Sequence, residues 1–220
     1  MSLSTEVVES IDGWLTKPEA NLLYKFAKKC SGKGTIVEIG SWKGKSTVCL
    51  SEGLRDGAGG KVHAVDPFTG SSEHGDVDTY NEFLSNIKRA GIDEYVIPHR
   101  QYSEDAAKEW DGSPIELLWI DGAHEYEFVI KDYQLWEPYL VEGGTIAFHD
   151  STDPGVWPVL DKYIFRSKKF RRIRFIHGIT YAIKGKPLPF ENAIMRWLRD
   201  IKYGLWYIWD RSRKTLRKKN

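Results

Sequence analysis

The stretch Thr35-Ile36-Val37-Glu38-Ile39-Gly40-Ser41-Trp42-Lys43-Gly44-Lys45-Ser46-Thr47 decides the fold. Its apolar, β-branched opening reads as a buried strand; an acid and a glycine end it, and a helix start follows. Strand, glycine turn and helix in that order form the first unit of an open α/β sheet. In such sheets a ligand sits in the crevice beyond the carboxyl end of the strand. Gly40 and Gly44 supply backbone conformations closed to other residues. Glu38 puts a carboxylate where a cationic amine or a hydroxyl of that ligand would bond. Taken alone, the stretch specifies a nucleotide-like ligand and no more.

Working outward, the same unit recurs. Thr16-Lys17-Pro18-Glu19 is a capping box with proline in the first turn, opening a helix to about Ser31. Beyond the glycine turn, Ser46–Leu54 reads as helix, Lys61–Asp66 as strand and Pro67–Asp78 as a polar loop. Helix is expected over Thr79–Ala90, strand over Tyr95–Arg100 and a short helix over Ser103–Trp110. Ile115–Asp121 is the strongest strand, followed by a helix over Glu125–Leu140 that Glu142-Gly143-Gly144 terminates. Thr145–Asp150 is a fifth strand and Val156–Phe165 a further helix. Phe170–His177 and Ile179–Lys184, joined at Gly178, suit a hairpin better than another crossover. Five parallel units closed by an antiparallel edge define an α/β sheet with a reversed strand. The chain divides into an N-terminal helical segment (1–34), the sheet domain (35–186) and a basic aromatic helix (190–220).

With 41% hydrophobic and 29% charged residues, the 220-residue chain has material for a full core and an ordinary polar surface. Its net charge of +1 gives no general attraction to nucleic acid. The charge is uneven, however: residues 190–220 hold nine Lys/Arg against three Asp/Glu, so the rest is net negative. Cys30 and Cys49 lack metal-type spacing and read as buried free thiols of a reducing compartment. Met1–Asp12 is polar and acidic, and no run reaches the length of a membrane span, so a cytoplasmic location is expected.

Five signatures follow one another over Ile36–Asp150. They are Glu38-Ile39-Gly40-Ser41 with Gly44, Ser46 and Thr47; Val65-Asp66-Pro67-Phe68; Ile120-Asp121-Gly122 with His124 and Tyr126; Gly143-Gly144; and His149-Asp150. Together they resemble the class I S-adenosylmethionine-dependent methyltransferases. Within that class they resemble the branch of macrocin-type sugar O-methyltransferases and cephalosporin hydroxylase-like proteins. The resemblance implies a Rossmann-like doubly wound seven-stranded sheet of order 3-2-1-4-5-7-6 with strand 7 antiparallel. It also implies methyl transfer from S-adenosyl-L-methionine to a hydroxyl of a sugar, glycan or glycosylated small metabolite. Trp42, where the usual pattern has a glycine, is a departure that bears on loop shape.

The resemblance also assigns roles. Glu38, Gly40, Ser41, Gly44 and Ser46 would hold the methionine end of the cofactor, Asp66 its ribose, and Phe68 would pack on it. Ser103 would lie near the adenine, or serve simply as a helix N-cap. Asp121, His149 and Asp150 would gather at neighbouring strand tips as ligands for Mg²⁺, or for Mn²⁺ or Fe²⁺ given the imidazole. Alternatively Asp121 and Asp150 cap helices and His149 touches substrate. His124, three residues after Asp121, takes the place of a general base in catechol-type enzymes, with Asp121 beside it. An iron-dependent hydroxylase and a non-catalytic binding module are the competing functions. His74 falls on a lid-like loop, His63 and His177 read as structural, and His99 has no assigned role.

In the tail, Ile194, Trp197, Leu198, Ile201, Leu205, Ile208 and Trp209 recur at helical spacing among Arg and Lys. Such a stripe either packs on its own domain or a second subunit, or lies on an anionic membrane surface. A peripheral position at the inner face of the membrane and a homo-oligomer both follow as expectations.

Overall fold

The computed structural model describes residues 3–71 and 75–203. Five strands run parallel: β1 (Thr35–Ile39), β2 (Val62–Asp66), β3 (Val96–Arg100), β4 (Ile115–Ile120) and β5 (Leu140–Phe148). A hairpin of β6 (Phe170–Ile176) and β7 (Ile179–Lys184) completes the sheet, with β7 antiparallel to β5. In these labels the order is 3-2-1-4-5-7-6, as the resemblance implied.

Alternation along the strands sends side chains to two cores. Ile36, Leu117 and Trp119 join one; Val37, Ile39, Leu118 and Ile120 join the other. The first core is covered by α1 (Thr5–Ser10), α2 (Lys17–Lys28), α3 (Lys45–Arg55) and α4 (Tyr80–Arg89). The second is covered by α5 (Ser103–Lys108), α6 (Tyr126–Trp136) and α7 (Val156–Val159), which runs on as a π-helical turn over Leu160–Phe165. Both cysteines are free thiols, Cys49 fully buried.

The N-terminal segment belongs to this architecture. The expected capping box is present at Thr16 and Glu19, and α2 lies so close to α3 that a Cβ on Gly53 would stand 2.4 Å from the Tyr24 carbonyl oxygen.

Three element boundaries differ from expectation. Gly143 and Gly144 do not end α6, which closes at Trp136 before a 3₁₀ turn over Glu137–Tyr139. They lie inside β5, where pairing with β4 skips from Leu140 to Thr145 while β4 advances from Ile115 to Leu117. Gly143 takes φ +83°, which lets the strand bulge there. The turn of the final hairpin contains His177 as well as Gly178, and His177 is left-handed at φ +49°.

Residues 191–203 form a further helix, α8. No helix among the described residues is long and apolar enough to cross a membrane. The expected lid loop holds a two-strand pairing of Gly70–Ser71 with Gly75–Asp76. His74 and the tail beyond 203 lie outside the described residues.

Candidate active site

Strand β1 delivers Glu38 to a fully buried position. Its Oε2 accepts hydrogen bonds from Ser41 Oγ at 2.9 Å and Thr47 Oγ1 at 2.5 Å. Its Oε1 is buried with no hydrogen-bond partner among the described residues. Burial pushes the carboxyl up to about 7, against the opposing pull of the hydroxyls of Ser46, Thr47 and Ser41. A buried acid left half-satisfied at a strand tip is costly unless something meets it.

The turn after β1 is held from the neighbouring strand. Asp66, at the end of β2, accepts the Ser41 and Trp42 backbone N–H groups on Oδ2, both at 2.8 Å, and the Phe68 N–H on Oδ1 at 2.5 Å. The departure at Trp42 is explained here: its backbone takes φ +48°, the region a glycine would occupy, with its N–H held by Asp66. Burial holds the Asp66 carboxyl above the usual range despite the three amides. Gly40 is required by packing, since a Cβ there would lie 2.1 Å from the Asp121 carbonyl oxygen. Gly44 caps α3 with φ +89°, against Phe83 and Ile87.

Two expected cofactor contacts are occupied elsewhere. Phe68 is fully buried between Tyr80 and Phe83, with ring centroids 5.1 and 4.8 Å away, so its ring packs in the core. Ser103 is the first residue of α5, behind Tyr102 as N-cap, and its Oγ accepts the Trp136 indole N–H at 2.9 Å.

The tips of β4 and β5 bring Asp121, His124, His149 and Asp150 together. His149 Nδ1 lies 3.2 Å from Asp121 Oδ1 and 3.0 Å from Asp150 Oδ2, and its Nε2 lies 3.6 Å from Glu19 Oε1. The ring is buried, yet these three carboxylates push its pKa up to about 12. His149 thus faces acids with both ring nitrogens, and it is not among the described residues whose ligand atoms converge closely enough to hold a cation. The group able to hold a cation is Asp121, His124 and Asp150, whose ligand atoms all lie within 4.8 Å of one another. His124 Nε2 stands 3.4 Å from Asp150 Oδ2. Burial raises the Asp121 carboxyl, whereas the bond from His149 lowers that of Asp150. Asp150 itself takes φ +39°.

Sequence reasoning missed two contributors. Glu19 does more than close the capping box: its Oε1 accepts the Gly178 N–H at 2.8 Å and faces His149, and its carboxyl is held down to about 2 by its bonds with His149 and Thr16, which outweigh its burial. Gly178 caps the cluster from the hairpin, since a Cβ there would lie 3.1 Å from Glu19 Oε1 and 3.7 Å from His149 Nε2. A glutamate inside a helix start and a glycine in a hairpin turn carry no signal that they meet. His63 and His99, by contrast, are structural. Their Nδ1 and Nε2 share a contact of 2.9 Å across β2 and β3, and burial pushes His63 down to about 4.

A family model described as "Methyltransferase domain" matches residues 37–151. The chain belongs to that methyltransferase family, and its fold is that of the class I S-adenosylmethionine-dependent enzymes. It is 30% identical over 141 residues to an uncharacterised protein of Acanthamoeba polyphaga mimivirus, an alignment covering 59% of each chain. The chain thus spans less than two thirds of that relative's length. Among solved structures it shares its fold with an O-methyltransferase from Bacillus cereus in complex with SAH. The TM-score is 0.60, with 19% identity over 82% of this chain and 90% of that one. It also shares it with the O-methyltransferase TomG from Streptomyces achromogenes, involved in tomaymycin synthesis and solved with SAM. There the TM-score is 0.58, with 18% identity over 78% of this chain and 81% of that one.

Proposed function

We propose that this chain transfers the methyl group of S-adenosylmethionine to a hydroxyl oxygen of a sugar, in a glycan or on a glycosylated small metabolite. The observation that carries the reading is the buried Glu38 Oε1, unpartnered among the described residues at the tip of the first strand, beside a turn shaped for a small ligand. An amine at the methionine end of the cofactor supplies the missing donor, so the residues fit that group. Glu38 would hold the amine, and the backbone of the Ser41–Gly44 turn would line the approach. Asp66 fixes that turn and retains lone pairs for a ribose hydroxyl. When bound, the cofactor supplies a methyl group on a sulfonium, already activated for transfer.

The protein's own chemistry is positioning and removal of one proton. His149 is buried and enclosed by three carboxylates, which places it poorly to accept that proton. His124 is left as the base: it takes the proton from the acceptor hydroxyl at a ring nitrogen while the oxygen bonds to the methyl carbon. Asp150, 3.4 Å from His124 Nε2, stabilises the imidazolium that results. A protonated His149 would offset part of the negative charge of Asp121, Asp150 and Glu19 around it. For the sugar, the support is the signature set together with Trp14, 61% exposed and tilted against Trp42 at 5.9 Å, an aromatic surface suited to a sugar ring.

Calorimetry with S-adenosylhomocysteine tests the cofactor, and label transfer from S-adenosylmethionine to a panel of glycosides tests the acceptor. His124→Ala is expected to lower turnover about 10²- to 10⁴-fold while leaving S-adenosylhomocysteine affinity unchanged. A fully active variant removes His124 as base. Rates that depend on iron and oxygen instead of S-adenosylmethionine overturn the reading in favour of a hydroxylase. A second reading, metal assistance, is favoured by the cation-sized grouping of Asp121, His124 and Asp150. Mn²⁺ or Fe²⁺ suits its imidazole better than Mg²⁺ does. A stimulation by one of these ions that chelator reverses would make His124 a ligand and remove it as the base.

A further inference from the structure

Helix α8 is attached to the domain by its polar side. Asn192 Nδ2 donates to the carbonyls of Ser167 and Phe170 at 3.1 and 2.8 Å. Arg199, only 6% exposed, donates to the Ser151 carbonyl at 2.9 Å and lies over the Trp157 ring. Tyr203 donates to the His177 carbonyl at 3.0 Å, and Arg196 pairs with Asp161. Positions 192, 196, 199 and 203 fall on one helical face. The opposite face carries Ile194, Trp197, Leu198 and Ile201, with exposures of 55, 63, 41 and 40%. Phe190, just before the helix, is 80% exposed. This inverts the ordinary surface helix, which turns its apolar stripe inward. Rolling the helix to bury that stripe would strand Asn192 and Arg199, so the apolar face is held outward.

The sequence beyond the described residues adds Trp206, Tyr207 and Trp209, then Arg211, Arg213, Lys214, Arg217, Lys218 and Lys219 with Asp210 as the one acid. We propose that the outward face of α8 docks on an anionic lipid bilayer. Its apolar side chains would enter the boundary between headgroups and acyl chains, and the basic run would lie against anionic headgroups. A second copy of this chain is the poorer occupant, because face-to-face pairing would bring two basic runs together. Residues 1–189 are net negative, so the attraction is confined to this end. The helix also bonds Ser151 and His177, which flank Asp150 and Gly178 in the site. Docking therefore sets the strand tips beside the membrane surface, where a lipid-linked sugar would be met; this last clause rests on the proposed acceptor.

The test is flotation of the full chain with phosphatidylcholine vesicles, with and without phosphatidylserine. Wild type is expected to float with the anionic vesicles only, and added salt to weaken it. The double variant Trp197→Glu/Ile201→Glu changes exposed side chains and is expected to partition at least about tenfold more weakly, with unchanged S-adenosylhomocysteine binding. No flotation on anionic vesicles, or flotation indifferent to the double variant, overturns the proposal. So does a wild-type dimer that the double variant turns into a monomer, since a second copy would then be the occupant. Failure of the methyltransferase reading would appear in the calorimetry and leave flotation untouched.

Discussion

Glu38 and Asp66, the acids of the first two strands, are met by the protein to different extents. Asp66 has both oxygens bonded by the protein, through three backbone amides. Glu38 receives the Ser41 and Thr47 hydroxyls on Oε2 and leaves Oε1 without a hydrogen bond among the described residues. Glu38→Gln removes a charge that the ligand-free fold tolerates poorly. At pH 8 the variant without cofactor is expected to unfold at higher urea concentration, by an amount worth up to about 3 kcal/mol. Its affinity for S-adenosylhomocysteine is expected to fall in parallel. Loss of stability together with retained affinity would show that the acid serves the fold and not the ligand. The same contrast separates the two histidines. The sequence made His149 a candidate metal ligand and His124 a candidate base; in the structure three acids surround His149, whereas His124 is grouped with Asp121 and Asp150.

Helices and strands were readable where their causes are local. The capping box, the β-branched run before Glu38 and the hairpin at Gly178 each act within a few residues, and each formed as its sequence implies. Gly143-Gly144 misled because the same pair that stops a helix also permits a bulge in a strand, and the choice is made by pairing with β4. For the site, the acids of β1, β4 and β5 were visible because each ends an apolar run. The contribution of α2 was not, since Glu19 reaches Gly178 across 159 positions. Glu19→Ala removes the helix cap and leaves the hairpin amide without its acceptor. It is expected to cost about 1–3 kcal/mol in urea unfolding, while the merely capping-deficient Thr16→Ala costs less. Equal costs would mean that the tie between α2 and the hairpin contributes nothing. Gly53→Ala tests the α2–α3 contact in the same way, with about 1–3 kcal/mol expected from overpacking against the Tyr24 carbonyl.

Across the molecule, the perturbed groups predict an unusual response to acid. Glu38 is raised from 4.5 to about 7, so its contribution to stability is fully present below pH 4.5 and is lost as pH rises towards 7. His63 is lowered from 6.5 to about 4, so its contribution is present above pH 6.5 and is lost as pH falls towards 4. Between pH 4.5 and 6.5 the two oppose each other, one proton against one, but Asp132, raised by burial from 3.8 to about 6, acts with Glu38, so stability is expected to fall as pH rises to about 6 and to level off above it. Below pH 4.5 the Glu38 gain is complete. His63 then goes on losing stability, and Glu19, lowered from 4.5 to about 2, begins to lose its own as the pH falls further. Acid unfolding should therefore be delayed until the pH falls below about 4, where Glu19 loses its contribution. Removing Glu38 leaves His63 against Asp132: in Glu38→Gln, urea midpoints are expected to stay nearly level from pH 4.5 to 6 and to climb above that. A fall with rising pH that survives the substitution would show that Glu38 does not titrate in that range, and that its buried oxygen is met by a donor in the protein itself.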